Sequence, residues 1–160
     1  MSEPCIYETD FLRLYKKNVS KEKRIAMMNE ERTPTASAEE KVILIVDDDR
    51  DIGEVVQHII LDQTPYQTVW IAESDLALNA ASFLRPSLLL LDYLLPEMHG
   101  LDLYDHLQAI ETMRGVPTIM ISASTSLPFE ALRTRGISLL KKPFDLNDFL
   151  DLLAERLGEG

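Results

Sequence analysis

Three aspartates stand side by side at the end of an apolar run, in the stretch ILIVDDDRDI of residues 43–52. Asp47, Asp48 and Asp49 repel one another, so three adjacent carboxylates indicate a purpose other than stability. Carboxylate oxygens are hard ligands, and no histidine or cysteine lies beside them in the sequence. Such a donor set selects a hard cation such as Mg²⁺ rather than zinc. The stretch therefore predicts part of a magnesium site.

Three more polar residues end apolar runs further along the chain: Asp92 follows SLLLL, Ser122 follows TIMI, and Lys142 precedes Pro143. An incomplete set of carboxylates leaves coordination positions for water and for a phosphate oxygen. A lysine and a hydroxyl near such a site suggest phosphoryl chemistry, with Asp92 as the nucleophile. Each residue alone is better explained as a cap, a turn former or a surface charge. Their combination favours the functional interpretation.

The residues around these positions alternate between short apolar runs and amphipathic stretches from residue 41 onward. The apolar runs predict five strands, over Lys41–Val46, Gln67–Ala72, Ser87–Leu91, Thr118–Ile121 and Ser138–Leu140. The other stretches predict five helices, over Asp51–Leu61, Ser74–Leu84, Gly100–Ile110, Pro128–Arg135 and Asp145–Leu157, with Asp49, Ser74 and Asp145 as N-caps. This alternation predicts an α/β fold with a parallel sheet covered by helices on both faces.

The predicted sheet gives the polar residues a common location. Ligands of such sheets bind at the carboxyl ends of the strands, near the point where the strand order reverses. Asp47 and Asp48 follow the first strand, Asp92 the third, Ser122 the fourth and Lys142 the fifth. We therefore expect these five side chains to converge on one pocket.

The composition excludes several classes of function. The 160 residues carry a formal net charge of −11, which argues against nucleic acid as a partner because such binding depends on clustered Lys and Arg. The single cysteine, Cys5, allows no internal disulfide, which fits a reducing compartment. No apolar run approaches the ~18–20 residues that span a bilayer, and the N-terminal stretch MSEPCIYETD is no signal core. We therefore expect a soluble, cytoplasmic protein without a membrane span.

The composition changes near residue 40. The stretch EERTPTASAEE at residues 30–40 has no hydrophobic period and predicts a linker. Upstream, residues 11–28 could form a basic amphipathic helix that binds a partner or a membrane surface, although irregular apolar spacing favours a solvated tail. We expect residues 1–40 to be a flexible N-terminal extension and linker, and residues 41–160 to form one domain.

In order and spacing, the segments VDDD, LLLLDYLLPEMHG, TIMISAS and LLKKPF resemble the receiver domain of two-component response regulators, in particular the single-domain chemotaxis regulators. The resemblance covers about residues 41–157 and makes 41–160 a receiver domain. It implies a flavodoxin-like five-stranded sheet with the strand order 2-1-3-4-5.

The resemblance also implies roles for individual residues. Asp47 and Asp48 match the acidic pair that holds Mg²⁺, Asp92 matches the phosphoacceptor and a further metal ligand, and the backbone carbonyl of Leu94 matches the ligand two residues later. In this family Mg²⁺ is the cofactor of phosphoryl transfer.

Three further positions near the pocket follow from the resemblance. Ser122 matches the switch hydroxyl and Lys142 the lysine that pairs with the phosphate, in a Lys142–Pro143 peptide that is usually cis. One position departs from the pattern, because Leu139 stands where an aromatic residue is usual. The usual coupling of hydroxyl motion to ring rotation has no ring to act on here, and how Leu139 replaces it stays open; Leu139 could repack instead.

These matches predict a receiver in a phosphorelay, which accepts a phosphoryl group on Asp92 from a histidine kinase or phosphotransfer protein. We expect no enzyme, since a haloacid-dehalogenase-like phosphatase would need a second aspartate where Leu94 stands. The sequence ends soon after Gly158, which predicts a stand-alone receiver that signals by protein–protein contact. The expected contact face comprises the 128–135 helix, the 138–140 strand and the last helix, and a phosphorylation-dependent homodimer is a further expectation. The alternative is a phosphorylation-independent scaffold or adaptor with a receiver fold.

Overall fold

The computed structural model describes residues 40–159. Its strands are β1 (Val42–Val46), β2 (Gln67–Ile71), β3 (Leu88–Asp92), β4 (Thr118–Ser122) and β5 (Ser138–Lys141). Its helices are α1 (Arg50–Gln63), α2 (Ser74–Ala81), α3 (Gly100–Gln108), α4 (Phe129–Thr134) and α5 (Leu146–Arg156), with a 3₁₀ turn at Glu111–Met113. Every predicted element is present, with ends displaced by up to three residues. The predictions for the N-terminal extension fall on residues outside the described range and stay predictions.

The five strands form one parallel sheet in the order β2-β1-β3-β4-β5, which confirms the predicted fold class. The register aligns the carboxyl ends of the central strands. Val46 pairs with Leu91 across β1 and β3, and Asp92 pairs with Ile121 across β3 and β4. The residues that follow β1 and β3 therefore meet at one edge of the sheet.

Helices cover both faces of this sheet, and each face has its own apolar core. In β1, Ile43 and Ile45 point into the core formed with α1 and α5, whereas Leu44 and Val46 point into the core formed with α2, α3 and α4. Because neither face of a central strand meets water, the strands show apolar runs rather than an alternating pattern. Within residues 40–159, no helix is both long and apolar enough to cross a bilayer.

The predicted N-caps are correct for two helices and wrong for a third. The carboxylates of Asp49 and Asp145 each accept hydrogen bonds from two backbone N–H groups in the first turns of α1 and α5. At α2 the N-cap is Glu73, whose side chain makes no capping bond, and Ser74 is the first helical residue. The Ser74 side chain is instead fully buried, and its hydroxyl lies 3.4 Å from the carboxylate of Glu97. A contact with a distant loop thus takes precedence over local capping.

Candidate functional site

The predicted side chains meet at the carboxyl edge of the sheet. One carboxylate oxygen from each of Asp47, Asp48 and Asp92 lies within 4.8 Å of the other two. Asp47 and Asp92 are buried, with 2% and 8% of their surface exposed, whereas Asp48 is exposed. Of the sequence-predicted acids, these three therefore form one cluster, while Asp49 is occupied as a helix cap.

Lys142 reaches into the cluster from the end of β5. Its Nζ lies 3.5 Å from Oδ2 of Asp47 and 3.6 Å from Oδ1 of Asp92, and its side chain is 19% exposed. One ammonium group thus faces two buried carboxylates at distances longer than those of a close ion pair. Three carboxylates and one ammonium leave two negative charges without compensation among these four side chains.

This unbalanced charge is visible in the acid–base properties of the cluster. Burial, followed by the charge of Asp47, raises the pKa of Asp92 to about 6, while Lys142 and the backbone N–H of Leu94 act in the opposite direction. Burial also raises the pKa of Asp47, although the backbone N–H of Asp49 and the ammonium of Lys142 lower it. The Asp49 N–H donates to Oδ1 of Asp47 at 2.9 Å. Both carboxylates therefore favour a nearby positive charge more strongly than an ordinary surface acid does.

The cluster fits a hard divalent cation. Its donors are carboxylate oxygens, which Mg²⁺ prefers, and two uncompensated negative charges match the charge of one such ion. The exposed side of the cluster at Asp48 leaves room for water and for an anionic ligand. The backbone carbonyl of Leu94 follows Asp92 by two residues, and its role as a further ligand stays a prediction. The Leu94 side chain is 52% exposed beside the site.

Ser122 lies at the end of β4, next to β3, which ends at Asp92. Its side chain is buried, and its hydroxyl oxygen accepts a hydrogen bond from the backbone N–H of Ser124 at 3.0 Å. Its carbonyl accepts a bond from the N–H of Lys142 at 2.8 Å, so the two strand ends are tied together. The Lys142–Pro143 peptide is cis, which confirms the expectation drawn from the resemblance. Leu139, at the position of the usual aromatic residue, is half-buried against the α2–α4 core.

Two glycines, which the sequence did not single out, allow α3 and the Trp70 ring to pack closely against neighbouring elements. A Cβ on Gly100, the first residue of α3, would collide with the carbonyl oxygen of Asp92 and would lie 2.8 Å from Sδ of Met120. A Cβ on Gly53, in the first turn of α1, would collide with the indole ring of Trp70. No local pattern distinguishes these glycines from others, because the groups that they admit come from distant parts of the chain.

Trp70, in β2, packs against the core formed with α1 and α5. The side chain is half-buried, and its Nε1–H donates to the backbone carbonyl of Asp47 at 2.9 Å. A signal existed in the sequence, since a tryptophan on a buried strand needs a partner for its N–H.

Comparisons with known proteins agree with this geometry. The family model described as the response regulator receiver domain matches residues 43–154. The chain is 41% identical over 117 residues to the DNA-binding response regulator MtrA of Mycolicibacterium smegmatis, covering 72% of this chain and 50% of that protein. It is 33% identical over 107 residues to the phosphate regulon transcriptional regulatory protein PhoB of Escherichia coli, covering 64% and 45%. The chain thus spans about half the length of the curated relatives that it matches.

Solved structures resemble the fold over nearly their whole length. A response regulator receiver domain protein (CheY-like) from Methanospirillum hungatei superposes with a TM-score of 0.68 at 28% identity, covering 75% of this chain and 95% of that chain. The receiver domain of the sensor histidine kinase PA1611 from Pseudomonas aeruginosa superposes with a TM-score of 0.66 at 25% identity, covering 74% and 98%. In that protein a magnesium ion is coordinated in the active site cleft.

Proposed function

The chain belongs to the response regulator receiver family, and from this premise we propose that it accepts a phosphoryl group on Asp92 in a phosphorelay. The observation that carries the proposal is the placement of Asp92. This buried carboxylate lies in a cluster with two other aspartates and 3.6 Å from the ammonium of Lys142. A carboxylate that is held among charges and open to solvent on one side is suited to act as a nucleophile toward phosphorus.

In the proposed step an oxygen of the Asp92 carboxylate attacks the phosphorus atom of the donor. A new O–P bond forms, the bond from phosphorus to the donor nitrogen or oxygen breaks, and the donor keeps the electron pair. At neutral pH the carboxylate is ionised, because its pKa of about 6 lies below that pH. Lys142 can then pair with the transferred phosphoryl oxygens, and the Ser122 hydroxyl can donate a hydrogen bond to one of them.

The residues that would hold Mg²⁺ are Asp47, Asp48, Asp92 and the backbone carbonyl of Leu94. When bound there, the ion would neutralise charge on the transferred phosphoryl oxygens. Even without the ion, one oxygen of each carboxylate lies within 4.8 Å of the other two. The backbone N–H groups of Asp49 and Leu94 hold the carboxylates of Asp47 and Asp92 there.

The proposed donor is a histidine kinase or phosphotransfer protein, and the proposed output is contact with another protein. The contact face comprises α4, β5 and α5, where Phe129 is 53% exposed and Lys141 lies 5.5 Å from the centre of its ring. A phosphorylation-dependent homodimer would use the same face. We propose no enzyme activity on a separate substrate, because Leu94 stands where a phosphatase would need a second aspartate. We propose no nucleic-acid binding by this domain, because the chain carries a net charge of −11. DNA binding is a property named for MtrA, of which this chain matches half.

The proposal is tested by weighing the intact protein after incubation with acetyl phosphate and Mg²⁺. We expect the mass to rise by one phosphoryl group in the parent chain and not in Asp92→Asn. Asp75→Asn, which removes an exposed acid from the first turn of α2, is the matched control and should be phosphorylated like the parent. If the parent gains no phosphoryl group from acetyl phosphate or from a phosphorylated phosphotransfer protein, the scaffold function is favoured instead.

A further inference from the structure

The backbone N–H of Asp47 continues the pairing of β1 with β2, since it donates to the carbonyl of Ile71 at 3.2 Å, but the Asp47 carbonyl lies between two elements. β1 ends at Val46, and the first helical bond of α1 runs from the N–H of Gly53 to the carbonyl of Asp49. The Asp47 carbonyl therefore has no partner in the sheet ladder or the helix, although a buried carbonyl needs one. The indole Nε1–H of Trp70 supplies it from the neighbouring strand, at 2.9 Å.

Gly53 leaves the space that the indole occupies, because it has no Cβ. The ring lies against the first turn of α1 so closely that a Cβ at residue 53 would be 2.6 Å from Cε2 of Trp70. The indole is thus confined between the first turn of α1 and the end of β1. These two features enclose the segment Asp47–Asp49, which contains two of the three clustered carboxylates and the cap of α1.

We propose that Trp70 is a positioning residue for the cation site, which fixes the backbone of Asp47 so that its carboxylate faces Asp92 and Lys142. The inference rests on the proposed function, because it assigns Trp70 to the Mg²⁺ site of the phosphoacceptor. Trp70 does not touch the ion or the phosphoryl group. It acts through the carbonyl of Asp47, while the Asp49 N–H fixes the carboxylate of the same residue at 2.9 Å.

The competing explanation is that the Trp70 side chain only fills space between α1 and the sheet. The two explanations differ in what a substitution changes. A residue that only fills space contributes to the free energy of unfolding, but its loss leaves the Mg²⁺ affinity of the folded protein unchanged. A positioning residue changes that affinity, because the cation then has to order a carboxylate that was ordered before.

The test compares Trp70→Phe with Thr68→Val in the full chain. Phenylalanine keeps an aromatic ring but lacks the N–H. Thr68→Val lies on the same strand and removes a buried hydroxyl that accepts from Nε2 of Gln57 at 3.1 Å, without touching Asp47. Titration calorimetry with Mg²⁺, on samples shown to be folded by circular dichroism, should give a dissociation constant about tenfold higher for Trp70→Phe. Thr68→Val should bind Mg²⁺ like the parent.

A second measurement uses the parent chain and does not depend on the stability of Trp70→Phe. Trp70 is the single tryptophan of the sequence, so the tryptophan emission of the chain reports on the surroundings of this one indole, which include the Asp47 carbonyl. Adding Mg²⁺ should change this emission, and the dissociation constant obtained from the fluorescence titration should equal that obtained by calorimetry. Gly53→Ala, which displaces the indole, should raise the dissociation constant and abolish the emission change.

The outcomes separate this inference from the proposed function. Equal Mg²⁺ affinity of Trp70→Phe and the parent, or an equal loss in Thr68→Val, would overturn the positioning role and leave the cation site intact. A parent chain that binds Mg²⁺ without a change in Trp70 emission would overturn it as well. A parent chain that binds no Mg²⁺ would overturn both the inference and the cation site.

Discussion

The charge on Asp92 should destabilise the native protein at neutral pH when no cation is bound. Burial and the charge of Asp47 raise the pKa of Asp92 from 3.8 to about 6, despite the opposing effects of Lys142 and the Leu94 N–H. A carboxyl group with a higher pKa in the folded state binds its proton more tightly there than in the unfolded chain. Stability therefore falls as the pH rises from 3.8 to about 6 and stays low above that range. The shift corresponds to an order of magnitude of about 1–3 kcal/mol.

Asp92→Asn removes this charge and nearly preserves the shape of the side chain. In the presence of a chelator and at a pH well above 6, we expect the free energy of unfolding to rise by about 1–3 kcal/mol. Below pH 3.8 the parent and the variant should have nearly equal free energies of unfolding, because the Asp92 carboxyl of the parent is then protonated in both the folded and the unfolded state. Saturating Mg²⁺, at about 100 times its dissociation constant, should raise the free energy of unfolding of the parent by about 2.7 kcal/mol and that of the variant by less. Mg²⁺ should therefore reduce or reverse the difference between the free energies of unfolding of the variant and the parent.

The assay is urea unfolding followed by far-UV circular dichroism, with linear extrapolation to water. Asp105→Asn is the control with the opposite sign. The Asp105 carboxylate is bound by Arg135 at 2.8 Å, and this hydrogen bond lowers its pKa. Because the pair is exposed, its loss should cost at most about 1 kcal/mol, and only at a pH where the carboxylate is charged. A lower free energy of unfolding for Asp92→Asn than for the parent in chelator at neutral pH would contradict the destabilising effect of the Asp92 charge. So would a higher stability of the variant that persists below pH 3.8.

Three further predictions follow from the same geometry. Ser122→Ala should still be phosphorylated, as judged by intact mass, but should fail to gain self-association by light scattering, and unimpaired association would mean that switching does not run through the hydroxyl. Gly100→Ala should lower the free energy of unfolding in urea by about 1–3 kcal/mol, because its methyl group would meet the carbonyl of Asp92 and the sulfur of Met120; an unchanged value would contradict the tight approach of α3. Deletion of residues 1–38 should leave a cooperative thermal transition and phosphorylation on Asp92, whereas loss of either would move the domain boundary into the deleted segment.

The architecture could be predicted from the sequence because each central strand is buried on both faces. A run such as Leu88–Leu91 leaves no polar face, and such strands alternate with amphipathic helices only in covered parallel sheets. The same regularity placed Asp47, Asp92, Ser122 and Lys142 at strand ends on one edge. The order of the strands followed from the resemblance, since local pattern does not specify which strands are neighbours.

Local signals were reliable where the decisive contacts are local. Asp49 and Asp145 cap helices because their side chains bond to N–H groups two and three residues later. Ser74 has the residue type of a cap but sits one position too late, and its side chain is buried next to Glu97 of another loop. Ser74 differs from the two aspartates because the start of α2 depends on tertiary contacts as well as on local residue type.

Tertiary structure alone decided the electrostatic state of the site and the means that hold it. The pKa of Asp92 depends on burial by residues from several elements and on charges at Asp47 and Lys142, which lie 45 and 50 residues away in the sequence. The bond from Trp70 to the Asp47 carbonyl, and the space at Gly53 that admits the indole, likewise join separate elements. Sequence pattern determines which residues reach the edge of the sheet, because side-chain direction repeats along each strand. Distances and desolvation arise only when the strands and helices are packed together, because both depend on atoms that are remote in the chain.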